Sequence, residues 1–115
     1  MGGLRRILLV GGDLKVRDRV QRAAERAGLA VETIPVGAVI PGTDFELAVV
    51  DLDSVKTDAI EGIALQMRGA APRVVGFFSH VDPARGDRAT GAGIESYARG
   101  RFWRTLDEII GGPGT

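Results

Sequence analysis

Residues 46–53, Glu-Leu-Ala-Val-Val-Asp-Leu-Asp, contain four consecutive apolar residues that end on Asp51. A short, unbroken apolar run between polar residues is typical of a β-strand buried on both faces, as in the centre of a parallel sheet. In open α/β sheets, ligands bind just beyond the carboxyl ends of the strands. Asp51 is therefore the first candidate for a chemical role. The alternative is that Asp51 and Asp53 are solvated loop residues that begin the next turn.

The rest of the chain alternates predicted strands with predicted helices. Apolar runs and helical periodicity predict strands at 6–10, 30–34, 73–78 and 94–98, and helices at 14–27, 57–68 and 102–110. Asp13 is a typical N-cap for the first of these helices. Asp82-Pro83 predicts a further helix start, and Gly86 and Gly91 predict that this helix is weak.

Residues 35–43 interrupt the alternation. They contain two prolines and two glycines, which predict a single turn or an irregular loop where a doubly wound domain would place its second helix. We expect an α/β, flavodoxin-like three-layer sandwich with a five-stranded parallel sheet in the order 2-1-3-4-5, and with the second helix reduced or lost. That order would line one crevice with Gly11-Gly12-Asp13, Asp51 and Ser79-His80.

Composition excludes several classes of protein. The 115 residues suit one domain over 1–115, with an ordered core at about 5–111, and the absence of cysteine excludes disulfides and thiolate metal sites. Fifteen Lys and Arg balance fifteen Asp and Glu, so no overall field attracts nucleic acid or an anionic membrane. The apolar stretches are too short to span a bilayer, and the first residues lack the apolar core of a secretory signal. We expect a soluble, cytoplasmic protein.

Four segments form a set when their order and spacing are considered. They are Ile7–Val10 followed by Gly-Gly-Asp, Leu47–Asp51, Val74–Ser79 and Gly93–Phe102. This set resembles the receiver domains of bacterial two-component response regulators, also called CheY-like domains. The resemblance covers nearly the whole chain and implies the flavodoxin-like fold and a role in phosphorelay signalling.

The resemblance implies a specific role for Asp51. In receivers, an aspartate at the end of the third strand accepts a phosphoryl group, and a pair of acids after the first strand holds Mg²⁺. Asp51 occupies the acceptor position, but Gly11 and Gly12 stand where the acids would be. Asp13, Asp51 and Asp53 remain as candidates for a weak Mg²⁺ site, because Mg²⁺ prefers oxygen ligands. We expect either no cofactor or weakly bound Mg²⁺.

Other positions of the receiver pattern are partly kept. Ser79 matches the hydroxyl that grips the phosphoryl group, and Tyr97 matches the switch aromatic of the fifth strand. Gly100-Arg101 replaces the lysine and proline of the family, which leaves Arg99 or Arg101 as candidate stand-ins, although an arginine fork is not equivalent to a lysine point charge. The alternative for Asp51 and Ser79 is that both only hydrogen-bond the nearby backbone.

Three further features have competing interpretations. His80, the only histidine, has no partner at metal-ligand spacing. Gly11-Gly12 could cradle a phosphate, as glycine loops before helices can, but neither a G-x-G-x-x-G nor a G-x-x-x-x-G-K-[ST] pattern is present, and the loss of acids to small turn residues is the simpler explanation. Residues 99–104 concentrate cations around two aromatics, but the balanced charge elsewhere argues against a nucleic-acid surface. Phe102 is predicted to be core, whereas Trp103 is either an anchor for a protein partner or simply partly buried.

These observations predict a degenerate receiver, or pseudo-receiver. We expect it to act without phosphorylation, through contact with other signalling proteins, by Tyr97, Arg99, Arg101 and Trp103. In receivers the fourth helix, fifth strand and fifth helix form the common partner face, through which a homodimer is also expected. The alternative is an active phosphoacceptor that uses Asp51 with a non-standard Mg²⁺ site. We expect no enzymatic activity beyond self-catalysed phosphotransfer to Asp51, and no binding of nucleic acid or membrane.

Overall fold

The protein is described by a computed structural model that covers residues 5–79 and 81–111. Its elements alternate between strand and helix over most of the chain. They are β1 (Arg6–Val10), α1 (Leu14–Arg26), β2 (Ala30–Ile34), β3 (Leu47–Asp51), α2 (Ile60–Ala70), β4 (Val74–Phe78), α3 (Pro83–Gly91), β5 (Glu95–Ala98), α4 (Arg99–Arg104) and α5 (Leu106–Gly111). Short 3-10 helices at Leu52–Ser54 and Thr57–Ala59 connect β3 to α2.

The five strands form one parallel sheet in the order β2-β1-β3-β4-β5, which confirms the predicted topology. β3 is buried along its whole length, as its apolar run predicts. The register aligns Asp51 with Phe77 and Phe77 with Tyr97, so these three residues form one row near the carboxyl edge of the sheet. The fold therefore places Asp51 at the carboxyl edge of the sheet and Tyr97 two strands away from it.

Each face of the sheet has its own hydrophobic core. One core lies under α2 and α3 and includes Leu8, Val50 and Ile60. The other lies under α1, α4 and α5 and includes Val20 and Phe102. The helices therefore form the two outer layers of the predicted three-layer sandwich. In the part of the chain that the structure describes, no helix is long and apolar enough to cross a membrane.

The predicted loss of the second helix is confirmed. Residues 35–46 form turns and irregular backbone between β2 and β3. Phe45 is buried in the core under α2, and Ile40 packs against the same core. Two side chains from this loop thus cover part of the sheet face that a helix would cover in a fully wound domain.

The end of the chain differs from the single helix predicted over 102–110. Helix α4 begins at Arg99, directly after β5, and the helical path is interrupted at Thr105 before α5. The Thr105 hydroxyl donates to the carbonyl oxygen of Arg101 at 2.8 Å. Ala98 precedes α4 and has no capping side chain, so the sequence carries no signal for a start at Arg99.

Candidate functional site

Asp51 is a buried acid at the carboxyl end of β3. It is 4% exposed, and it is the only buried polar or charged residue in the described chain. Its Oδ1 accepts from the backbone N–H of Asp53 at 3.1 Å, and its Oδ2 accepts from the Ser54 hydroxyl at 3.2 Å. The 3-10 turn after β3 therefore folds back over the carboxylate and satisfies part of its hydrogen-bonding capacity.

Arg99 provides the positive charge beside this acid. Its Nη2 lies 3.3 Å from Asp51 Oδ1, and its Nε lies 3.1 Å from Asp53 Oδ2. The guanidinium carbon also lies 4.9 Å from the centre of the Phe77 ring, so a cation–π contact with Phe77 stabilises the cation. One guanidinium thus bridges the two acids that follow the central strand, because the first residue of α4 lies at the carboxyl end of β5.

Burial dominates the ionisation of Asp51. It raises the pKa of the Asp51 carboxyl above its ordinary value, because the charged form loses its hydration. The charge of Arg99 and the hydrogen bonds from Ser54 and from the Asp53 backbone act in the opposite direction and only partly offset burial. Keeping Asp51 ionised in this buried position therefore costs free energy, and the charge of Arg99 reduces that cost.

The turn after β1 approaches Asp51 without supplying a carboxylate. A Cβ atom built on Gly11 would lie 3.5 Å from Asp51 Cβ and 3.4 Å from Ser54 Cβ, so position 11 faces the acid. Gly12 has a φ of +91°, and a Cβ there would lie 2.8 Å from Val16 Cγ1. The backbone at both positions follows the left-handed region that favours glycine.

Asp13, a candidate Mg²⁺ ligand, lies at the start of the first helix. It is the N-cap of α1, and its Oδ1 accepts from the Val16 N–H at 2.9 Å. Within residues 5–79 and 81–111, no three His, Cys, Asp or Glu side chains group closely enough to hold a metal ion. Asp51 and Asp53 are close together, but both are paired with Arg99, which is a poor fit for an ion that needs near-octahedral oxygen ligands.

Ser79 is connected to the site through its backbone. Its N–H donates to Asp53 Oδ1 at 3.1 Å, and its hydroxyl oxygen accepts from the Val81 N–H at 3.5 Å. Asp53 thus links the end of β4 to Arg99. His80, the other residue predicted for this edge of the crevice, lies outside the described residues.

The four predicted switch and partner residues fall on two surfaces, with Tyr97 and Arg101 on one and Arg99 and Trp103 on the other. Tyr97 and Arg101 line one groove, with the Arg101 guanidinium 5.6 Å from the Tyr97 ring centre. Trp103 is half-buried on the α1 side of the domain, where the Arg19 guanidinium lies 4.6 Å from its ring centre. Arg99 faces Asp51. Of the two arginines considered as stand-ins, Arg99 makes the contact with the acids.

Two residues at these sites, Ser54 and Arg19, are not among those predicted from the sequence. Ser54 follows Asp51 by three residues, a spacing at which a hydroxyl can bond the acid in a tight turn, so a local signal was present. Arg19 carried no comparable signal, because its contact with Trp103 joins residues far apart in the sequence.

Comparison with known proteins found similarity at the level of structure. No protein-family model and no curated protein sequence matches the chain. The ChxR receiver domain from Chlamydia trachomatis aligns with a TM-score of 0.61 at 13% identity, covering 94% of each chain. The chemotaxis response regulator CheY4 of Vibrio cholerae aligns with a TM-score of 0.65 at 14% identity, covering 93% of this chain and 99% of CheY4.

A third structure agrees with these two. A response regulator from Thermotoga maritima aligns with a TM-score of 0.63 at 15% identity, covering 95% of this chain and 99% of the other. Identities this low carry information about architecture, and all three alignments span almost the entire chain. The protein therefore has the fold of a CheY-like response-regulator receiver domain.

Proposed function

We propose that this chain is a receiver-like signalling module of a two-component type pathway that acts through protein contact and does not depend on phosphorylation of Asp51. The observation that carries this proposal is the pairing of Arg99 with Asp51 and Asp53. A phosphoacceptor needs its carboxylate free to attack and needs charge neutralisation on the transferring phosphoryl group. Here the carboxylate is buried and already paired.

The surroundings of Asp51 support the same conclusion. Gly11 and Gly12 contribute no carboxylate, and Asp13 caps α1. The Ser79 hydroxyl accepts a hydrogen bond from its own loop, and within the described residues it forms no hydrogen bond with Asp51. The positions that would handle a phosphoryl group are thus used to hold the loops of this domain together.

Phosphotransfer tests the proposal directly. The intact mass would be measured after incubation with acetyl phosphate in excess Mg²⁺ and in EDTA, with Asp51→Asn as the negative control. A receiver that keeps both acids after its first strand would be the positive control. We expect no added phosphoryl group on this chain under conditions that modify the positive control. Mg²⁺-dependent addition of one phosphoryl group, absent from Asp51→Asn, would instead support the active phosphoacceptor.

The groove around Tyr97 is our proposed contact surface. It has a volume of about 260 Å³ and is lined by Arg73, Tyr97, Arg101, Thr105, Glu108 and Ile109. Arg101 is exposed there, whereas Arg73 is engaged by Glu95 at 2.8 Å. An aromatic residue beside an exposed arginine is a combination that is common at the energetic centres of protein interfaces. We propose that signalling partners, or a second copy of this chain, bind at this groove.

Self-association can be measured by sedimentation equilibrium. If a homodimer forms through this groove, Arg101→Glu should raise its dissociation constant by about tenfold or more, through lost contacts and like-charge repulsion. Arg17→Glu is the matched control, because Arg17 is exposed on α1 and receives the same change of charge. Equal effects of the two substitutions would place the dimer contact elsewhere, and a monomer at all concentrations would leave only a different protein as the partner.

A further inference from the structure

We propose that the cavity between the start of α1 and α4 is a binding site for the carboxylate group of an organic ligand. The cavity has a volume of about 370 Å³ and is lined by Lys15, Arg19, Arg99 and Trp103, together with Asp13, Val16 and Asp18. This volume lies within the range typical of small-molecule sites. The site is separate from the Tyr97 groove and does not depend on the function proposed above.

Two cations at this cavity are available to a ligand. Lys15 and Arg19 are four residues apart on α1, so their side chains project from the same side of the helix. Within the described residues, neither of them forms an ion pair. Neither cation is therefore held in a direct ion pair by a carboxylate of the domain itself.

One of these two cations, Arg19, lies over the ring of Trp103. The Arg19 guanidinium lies 4.6 Å from the ring centre of Trp103, and Trp103 is itself held at 4.9 Å from Phe102, a fully buried core residue. A guanidinium that stacks on a ring keeps its N–H donors at its edge, where they can bind a planar carboxylate. The tryptophan thus pre-organises a fork that the domain does not otherwise use.

The remaining charges favour an anion with a single charge. Asp18 pairs with Arg22 at 3.2 Å, and Arg99 pairs with Asp51. Asp13 lies at the cavity wall, where it caps α1. Two unpaired cations and one capping acid suit a carboxylate better than a doubly charged phosphate, which the acid would repel.

The fluorescence of Trp103, the single tryptophan of the chain, should report ligand binding directly, because this residue lies in the cavity wall. We would titrate the protein with acetate, butyrate and inorganic phosphate at constant ionic strength and follow tryptophan fluorescence. We expect a saturable change with butyrate, and weaker binding of phosphate. Lys15→Gln and Arg19→Gln should each weaken butyrate binding by about threefold to tenfold. Arg99 is not used as a test position, because its substitution also removes the counterion of Asp51.

Controls distinguish this site from general charge effects. Arg17→Gln removes a cation from an exposed position of α1 that does not line the cavity, and it should leave butyrate binding unchanged. Amide chemical shifts of the wild-type protein should change around Lys15 and Trp103 on titration. The absence of a saturable response in both fluorescence and chemical shifts would overturn the proposal, as would equal weakening by Arg17→Gln. Tighter binding of phosphate than of butyrate would overturn the assignment to a carboxylate.

The source of the carboxylate can be identified in the same assay. A short peptide with a free C-terminal carboxylate would be compared with the same peptide carrying a C-terminal amide. Tighter binding of the free acid than of butyrate would assign the group to the chain end of a protein. Binding no tighter than butyrate would assign it to a small organic acid, and both results support the site.

Discussion

At the scale of single residues, the cation that contacts Asp51 comes from its own chain. Arg99 contacts Asp51 and Asp53 and rests on the ring of Phe77. Ser54 donates to the same carboxylate. These contacts stabilise a charged group at a position where burial alone would disfavour it.

Asp51→Asn should change the pH dependence of stability in a defined direction. The native pKa of Asp51 is raised by burial, so the native state binds more protons than the unfolded state between the unfolded pKa, about 3.9, and the native pKa. The free energy of unfolding contributed by this group therefore falls as the pH rises through that window. We expect the stability of the wild type, relative to Asp51→Asn, to decrease with rising pH and then stay constant.

Urea unfolding of both proteins across the acidic range measures this difference. The difference between the two proteins is needed because other acids also make stability depend on pH. Hydrogen bonds from arginines lower the pKa values of Glu46, Asp82 and Glu95, so these acids increase the free energy of unfolding at higher pH. Their contributions to the free energy of unfolding are the same in both proteins and cancel in the difference. A wild type that gains stability relative to Asp51→Asn as the pH rises would show that the arginine outweighs burial.

Gly12 should tolerate substitution less well than another glycine of similar backbone conformation. Gly12→Ala places a methyl group 2.8 Å from Val16 Cγ1 at a φ of +91°, so we expect a loss of about 2–4 kcal/mol from strain and overpacking together. Gly28→Ala is the matched control, because Gly28 has a φ of +75° and open space around it, and about 1–2 kcal/mol is expected there. Equal losses in thermal or urea unfolding would show that the contact with Val16 relaxes without cost.

The residue scale also shows what the sequence could and could not predict about the site. Asp51 could be found because an apolar run points to the end of a buried strand. The choice between Arg99 and Arg101 could not be made, because it depends on where α4 begins after β5. Once the helix starts at Arg99, that side chain faces the acids and Arg101 faces Tyr97.

At the scale of elements, α3 contains a glycine, Gly86, that lowers helix propensity but improves the packing of the helix against the sheet. The sequence predicts a weak helix here because Gly86 and Gly91 lower its propensity. In the structure, Gly86 is buried, and a Cβ there would lie 2.4 Å from Phe78 Cζ. The missing side chain lets α3 approach the end of β4 closely.

Alanine substitutions on α3 should therefore have opposite effects at its two glycines. Gly86→Ala gains about 1 kcal/mol of helix propensity but forces Phe78 aside, so we expect a net loss of about 1–3 kcal/mol. Gly91→Ala meets no atom within 4 Å and should be neutral or stabilising by up to about 1 kcal/mol. Urea unfolding of the two variants tests this, and stabilisation by Gly86→Ala would show that the packing against Phe78 is not tight.

The ends of helices could be predicted where the sequence contains a capping residue. Asp13 and Asp82 cap the helices that they were expected to cap. The interruption at Thr105 was not predictable, since its hydroxyl bond to Arg101 forms only once the chain is already helical. Trp103 could not be assigned to a surface for a related reason, because the position of α4 against α1 is a tertiary contact.

At the scale of the whole molecule, both edges of the sheet, β2 and β5, are less buried than its centre. β3 has neighbours on both sides and is buried throughout, whereas β2 pairs only with β1 and contains no fully buried residue. The loop 35–46 contributes Ile40 and Phe45 to the core under α2. The β2 side of the domain is therefore held by fewer apolar contacts than its centre.

Native-state hydrogen exchange should reveal this difference between the β2 edge and the centre of the sheet. Amides of β2 are expected to exchange through local opening at free energies below the global value, whereas amides of β3 should exchange only on global unfolding. Exchange measured by NMR at several low urea concentrations distinguishes local opening from global unfolding, because the free energy of local opening depends only weakly on urea. Equal protection of β2 and β3 would show that the loop 35–46 replaces the helix fully.

The pairing of Arg99 with Asp51 also bears on how the domain responds to its chemical surroundings. An ion taken from solution occupies a site according to its free concentration, so such a site reports changes in the medium. A guanidinium attached to the junction of β5 and α4 has a fixed effective concentration that no chelator can lower. We therefore expect the charge at the end of β3 to stay the same whatever divalent ions are present, which makes this corner of the domain a constant element of its architecture.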